Sequence, residues 1–314
     1  MSPGLAGATG ADETSGADGA LGADETVTDA EALAARARLE AVLRRLRRVV
    51  VAFSGGADSA VLAAVATETL GRDAVLCATA RSTSLAPEEA ADVAALATEW
   101  GLRHVEVATD EIDRPGYAAN GLDRCAHCKT ALMDALGPLA VAEGATVVLG
   151  VNLDDLGDHR PGQAAAAAAG AAFPLVTAGC TKAIVRAASH LAGLRTWDKP
   201  AAACLASRVP HGTPVTAPTL SQVARAESAL RALGFRQLRV RHHGDTARLE
   251  LPADELGEAL ARREVVAEAL HTAGYRYATL DLDGFRSGNL ARAALEDRAA
   301  REDRPALEDR AARR

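Results

Sequence analysis

The chain has 314 residues, of which 48% are hydrophobic, 25% charged and only 3% aromatic, and its formal net charge is −7. That length suits two modest domains or one domain with an appendage, and the composition is that of an ordinary soluble globular protein. Six of the seven excess negative charges sit at Asp12, Glu13, Asp18, Asp24, Glu25 and Asp29, before the first arginine; the rest is nearly neutral, which argues against a nucleic-acid partner.

No basic stretch followed by an apolar run opens the chain, and no window approaches the roughly 18 apolar residues of a membrane span, so a cytoplasmic protein with no membrane partner is expected. In that compartment the five cysteines read as metal ligands, catalysts or core fillers before disulfides. In chain order, residues 1–34 are expected to form a disordered tail of Gly, Ala, Asp and Thr. Apolar runs at 48–53, 74–80, 104–108 and 146–151 read as buried strands, and the segments near 58–70, 86–100 and 129–143 have helical spacing. Pro87 with Glu88 and Glu89 makes a favourable helix start. This alternation predicts an α/β domain over 35–211, a parallel sheet covered by helices. After "RVPHGTPVT" the order changes to a helix at 219–233, a strand pair across 237–251, a helix at 253–271 and a strand at 275–282, a smaller α+β domain over 212–290. "ALEDRAAR" occurs at 294–301 and again at 306–313 within a charged tail, 291–314; two copies are too few for a solenoid.

"VVVAFSGGADSAVLA", Val49 to Ala63, carries the first chemical signal. A buried strand that breaks into glycine-rich backbone and then a helix presents free N–H groups to an anion. Gly55 and Gly56 allow close approach, Ser54 and Ser59 add hydroxyl donors, and Asp58 is placed to cap the helix or hold Mg²⁺ on phosphates. The bland reading is a βα turn that binds nothing. No lysine follows as in GxxxxGK[ST], so the stretch is not that type of phosphate loop. It resembles instead the pyrophosphate-binding loop of the N-type ATP pyrophosphatases, which cleave ATP between the α- and β-phosphates and adenylate a substrate oxygen.

Four further stretches, "DRCAHCK" (123–129), "NLDDLGDHRPG" (152–162), "KPAAACLASRVPHGTPVT" (199–216) and "LDLDGFRSGN" (280–289), with "RVRHHGDTARLE" (239–250), resemble the LarE family of pyridinium-3,5-biscarboxylic acid mononucleotide sulfurtransferases. The resemblance runs from about residue 35 to 290. It implies that ATP activates a pyridinium carboxylate as an acyl adenylate, which sulfur then converts to a thiocarboxylate for the nickel-pincer cofactor of lactate racemase. It further implies that Cys204 is the attacking sulfur, either sacrificed to leave dehydroalanine or joined with Cys125 and Cys128 in holding a [4Fe-4S] cluster. Three thiolates leave one iron of a cubane without a protein ligand. A zinc site with His127 as fourth ligand, a redox pair and inert thiols are the competing readings; Cys77 reads as core and Cys180 as incidental.

By the same resemblance Asp154, Asp155 and Asp158 lie beside ATP, although Asp/Gly loops usually only cap turns. Arg239 and Arg241 share one strand face and would hold the substrate phosphate, for which bidentate arginine is suited, with Ser207 and Arg208 as further anion-binding candidates. Glu227 and Glu250 are further candidates for a metal, Arg286 and Ser287 for an anion, and Trp197 and Tyr117 for stacking on a pyridinium ring. The expected partner is thus a small pyridinium mononucleotide, with an unknown sulfide source and a homo-oligomeric assembly. The alternatives are another sulfur-inserting adenylating enzyme, such as a tRNA thiolase, and a nucleotide-binding protein without turnover.

Overall fold

A computed structural model describes residues 27–156, 161–200 and 203–286. Asp158, Ser287, the repeated "ALEDRAAR", the tail 291–314 and residues 1–26 lie outside them.

The expected tail 1–34 is corrected at its end, because α1 (Asp29–Leu46) begins inside it. Thr28 supplies the reason. Its Oγ1 accepts from the Glu31 N–H at 3.3 Å while its own N–H donates to Glu31 Oε2 at 2.8 Å, a reciprocal cap that satisfies two otherwise orphan groups. Ala32, Ala35, Leu39, Val42 and Leu43 then bury one face.

The first sheet is parallel, in the order β3-β2-β1-β4, built from β1 (Val49–Ala52), β2 (Val75–Arg81), β3 (His104–Ala108) and β4 (Thr146–Leu149). Between the strands run α2 (Ala57–Leu70), α3 (Pro87–Glu99), the short α4 (Pro115–Ala118) and α5 (Arg124–Glu143); α6 (Pro161–Ala168), α7 (Pro174–Thr177) and α8 (Lys182–Leu191) follow. Val49 and Val51 face an apolar cluster with α1, α2 and α8, while Val50 faces a second one with Met133, Leu136 and Ala166. Burial on both faces is why β1, β2 and β4 read as unbroken apolar runs; the buried strand expected at 104–108 is corrected, because β3 lies at the sheet edge with none of its residues buried. α5 begins five residues before the expected 129, so the C-x-x-C lies on its first turn.

Beyond residue 212, α9 (Ala217–Ala232) precedes the antiparallel hairpin of β5 (Arg239–His243) and β6 (Thr246–Glu250), and β7 (Tyr277–Leu280) adds parallel to β6. The single helix expected over 253–271 is instead a turn of 3₁₀ helix, α10 (Leu256–Ala261) and α11 (Arg263–Thr272). The chain leaves helical geometry at Arg262, whose guanidinium donates to Leu233 O at 2.9 Å and lies 5.3 Å from the Phe235 ring centroid. Leu220 and Val223 of α9 pack with Tyr117, Leu205 and Val209, so one apolar cluster joins the two sheet systems beside the cysteines. No described helix is long and apolar enough to cross a membrane.

Candidate functional site

The turn after β1 is braced from within. Ser59 Oγ accepts from the Ser54 N–H at 3.2 Å and donates to Gly56 O at 3.1 Å, so the buried Ser59 serves the loop, whereas Ser54 is exposed. Gly55 has φ +68°, and a Cβ there would lie 2.8 Å from Val93 Cγ2; backbone and packing both demand glycine. Gly56 differs, since a Cβ there would meet only Ser54 Oγ, at an ordinary 3.6 Å. Nothing in the protein forbids a side chain at Gly56, so a requirement for glycine would come from a ligand. Gly150, directly after β4, is also obligatory, because an added Cβ would be 2.7 Å from Ser59 N. The end of β4 is thereby pressed against the first turn of α2.

Two groups absent from the sequence reading meet at this turn. Asp58 Oδ2 accepts from Lys182 Nζ at 2.5 Å and Oδ1 from Asn152 Nδ2 at 2.9 Å. Asn152, almost fully buried, also accepts from the Asp154 and Asp155 N–H groups. Asp154 Oδ2 accepts from the Lys182 N–H at 2.6 Å, and Asp155 Oδ2 from the Asn152 N–H at 3.1 Å. The Asp loop therefore latches the start of α8 and aims its lysine at the glycine turn. A lysine in a chain that uses arginine almost everywhere was the available signal for Lys182.

The three motif cysteines share one neighbourhood. Cys125 and Cys128 sit on the first turn of α5, and Cys204 precedes the 3₁₀ turn Leu205–Arg208. Cys125 and Cys204 are exposed and Cys128 half-buried. Burial pushes the Cys128 thiol up to about 11, against the pull of Lys129, with Cys204, Glu111 and Cys125 adding to the rise. Tyr117 is likewise raised by burial and by the nearby Cys204. Cys77 is buried, with its thiol pushed up to about 12, and Cys180 is also core.

Among the described residues no three His, Cys, Asp or Glu side chains converge as a single ion would require. The reading of His127 as a zinc ligand meets a further obstacle: its ring packs on Gly116, where an added Cβ would be 2.3 Å away, and Nε2 lies 3.2 Å from Asp123 Oδ2.

Several candidates find other employment. Arg208, 3% exposed, is expected to bind substrate phosphate, but its Nε and Nη2 donate to Glu227 at 2.8 and 3.0 Å, and Nη1 donates to Cys204 O at 2.9 Å. Glu227, expected as a metal candidate, also accepts from Arg231 at 2.9 Å and from the Val240 N–H at 3.1 Å. Burial alone would raise its pKa, yet these partners, Arg208 first, hold it below the usual range. Glu250, the other metal candidate, is taken by Arg241 at 2.6 Å and Arg248 at 3.1 Å. Both carboxylates thus neutralise arginines rather than coordinate a cation. Tyr117 is core, not a stacking platform; its hydroxyl bonds Ser84 Oγ. Trp197 stays partly exposed, edge-on to His190.

The strand arginines do come together. Arg241 Nη1 donates to Ser207 O at 2.9 Å, and its buried Nε has no hydrogen-bond partner among the described residues. Arg239 lies 5.1 Å from the Phe285 ring centroid, and its pKa is pushed down to about 10 by burial and by Arg208, Arg241 and Arg231. Burial is the larger cause, and the three neighbouring arginines add to it against the pull of Glu227. Ser207 is half-buried beside it, its Oγ donating to Cys204 O at 2.7 Å. Among the described residues Arg286 pairs with Asp283, at the surface.

Comparison with known proteins adds three findings. The NAD synthase family matches residues 35–123. An uncharacterised protein of Synechocystis is 44% identical over 264 residues, covering 81% of this chain and 98% of that protein. The pyridinium-3,5-bisthiocarboxylic acid mononucleotide synthase of Lactiplantibacillus plantarum is 39% identical over 256 residues, covering 81% of this chain and 93% of that enzyme.

Proposed function

The chain belongs to the LarE family of ATP-dependent sulfurtransferases, and from that premise we propose that it adenylates a carboxylate of pyridinium-3,5-biscarboxylic acid mononucleotide and replaces one oxygen by sulfur, in the synthesis of the nickel-pincer cofactor for lactate racemase. The observation that carries the reading is the pairing of Lys182 with Asp58 at an open glycine turn, in a chain whose three motif cysteines gather beside an arginine-rich strand face.

The nucleotide is assigned to residues 35–211 and anchoring of the substrate phosphate to 212–290. Ser54 and the N–H groups at the start of α2 receive the pyrophosphate portion of ATP, and the Lys182 ammonium balances the charge of the leaving pyrophosphate. Asp58 and Asp155 would hold Mg²⁺, which would supply positive charge to the departing pyrophosphate, since carboxylates suit a hard cation. Arg239 and Arg241 hold the substrate phosphate, with Ser207 beside them. A carboxylate oxygen attacks the α-phosphorus and pyrophosphate departs; a sulfur nucleophile then attacks the acyl carbon and AMP departs, leaving the thiocarboxylate.

Cys125, Cys128 and Cys204, whose thiols share one neighbourhood, are the residues that would hold a [4Fe-4S] cluster. Such a cluster, when bound, supplies an iron without a protein ligand at which sulfide can be carried. Cys128 would give up its proton on binding iron, against the rise that burial imposes on its thiol. Pyrophosphate release is the test. It should depend on the biscarboxylic acid mononucleotide and cease with Asp58→Ala; release indifferent to that compound removes the substrate assignment.

A further inference from the structure

The C-x-x-C turn and the Cys204 loop are far apart in sequence, yet a buried pair of side chains ties them directly. Arg124, which immediately precedes Cys125, is 6% exposed. Its Nη1 donates to Ala206 O at 2.9 Å, two residues after Cys204, and to Asn120 Oδ1. Asn120 is fully buried and holds φ +57°, a conformation asparagine tolerates better than most residues. Its Nδ2 donates to Pro210 O and Thr213 O at 2.8 Å and to Val209 O at 3.3 Å, and its carbonyl accepts from the Gly212 N–H at 3.0 Å.

One side-chain pair therefore grips the segment after Cys204 at four carbonyls. The C-x-x-C turn has its own restraint, because α6 crosses it at Gly162, where an added Cβ would lie 2.8 Å from Cys125 O. On the other side the Leu205 N–H donates to Ser84 O at 2.8 Å. A guanidinium buried against neutral acceptors is an expensive arrangement for a chain that could have placed an apolar residue there.

We propose that Arg124, seated on Asn120, is a positioning residue that sets the Cys204 thiol against those of Cys125 and Cys128. This rests on the reading of Cys204 as the sulfur-bearing residue, but the bridge acts on the thiols whether or not iron or ATP is present. Removing the guanidinium loosens the Cys204 loop at Ala206, where Arg124 holds it, while the Asn120, Arg208 and Ser84 contacts remain, and leaves the C-x-x-C turn as it is.

Dibromobimane, which bridges two neighbouring thiols, tests this on the full-length protein after chelation, reduction and desalting, with peptide mapping to identify the products. In the wild type, cross-links joining Cys204 to Cys125 or Cys128 should accompany the internal Cys125–Cys128 cross-link. In Arg124→Met the ratio of Cys204 cross-links to the internal one should fall by about fivefold, as for the loss of one buried hydrogen bond. Arg124→Lys, which keeps a donor, should recover part of the ratio. An unchanged ratio in Arg124→Met overturns the proposal, as does a wild type without Cys204 cross-links. A parallel fall of both products with the thermal midpoint also overturns it, because the residue would then only support the fold. None of these readings requires sulfur transfer, so failure of the proposed activity leaves a separate result.

Discussion

Replacing Lys182 by Met separates its two roles, as a surface ion-pair partner and as the cation of the phosphate site. Its Nζ lies 2.5 Å from Asp58 Oδ2, with the side chains 31% and 19% exposed. A pair that wet contributes about 0–1 kcal/mol to stability, so the thermal midpoint should scarcely move. Against a polyphosphate the same ammonium makes a charge-assisted hydrogen bond worth about 1.5–3 kcal/mol. Its loss should lower kcat/KM for ATP by roughly 10- to 150-fold in a coupled pyrophosphate assay. Lys182→Arg should fall between, since the planar fork keeps the charge but cannot place it at the same point. A Lys182→Met protein of unchanged kcat/KM would show that the lysine only caps Asp58, and one with a collapsed thermal midpoint would assign it to the fold.

Further outcomes follow from the same geometry. Gly56→Val should abolish pyrophosphate release while the protein stays folded, because a Cβ at this position meets only Ser54 Oγ; activity retained would mean that no phosphate approaches the turn. Arg239→Ala and Arg241→Ala should each raise KM for the pyridinium mononucleotide by roughly 10- to 150-fold, with KM for ATP little changed; equal effects on both substrates would indicate misfolding. Glu227 is held ionised to lower pH in the folded chain than in the unfolded one, so its stabilisation is full above its unfolded pKa and is lost as pH falls through the folded value. The wild-type thermal midpoint should therefore drop more steeply below pH 4.5 than that of Glu227→Gln; parallel slopes would deny the carboxylate this part. Anaerobically reconstituted protein should lose most of its iron on replacement of Cys125, Cys128 or Cys204 by Ala, and none on replacement of the buried Cys77 or Cys180.

What could be read from the sequence followed from how local each signal was. β1 declared itself because burial on both faces leaves no polar alternation in "VVVA", and the glycine turn followed as the break in such a run. α1 was legible in principle from Thr28 and Glu31, a capping box hidden by a low-complexity approach. Lys182 and Asp58 are 124 residues apart, and no local pattern announces that α8 starts beside α2. Arg208 shows the converse limit. Beside Ser207 and Cys204 it has the chemistry of an anion ligand, and only the fold reveals that Glu227 fills that demand from α9, 19 residues on. The buried carboxylates were read as metal candidates for the same reason, since Arg208 reaches Glu227 from a separate turn and Arg241 reaches Glu250 from the neighbouring strand.

The central claim is that a substrate carboxylate attacks the α-phosphorus of ATP. Pyridinium-3,5-biscarboxylic acid mononucleotide labelled with ¹⁸O in its carboxylates, incubated anaerobically with ATP, sulfide and the enzyme, tests it by mass spectrometry of the products. The account predicts one ¹⁸O in the AMP for each thiocarboxylate formed, and none in the pyrophosphate; unlabelled AMP accompanying thiocarboxylate would contradict it.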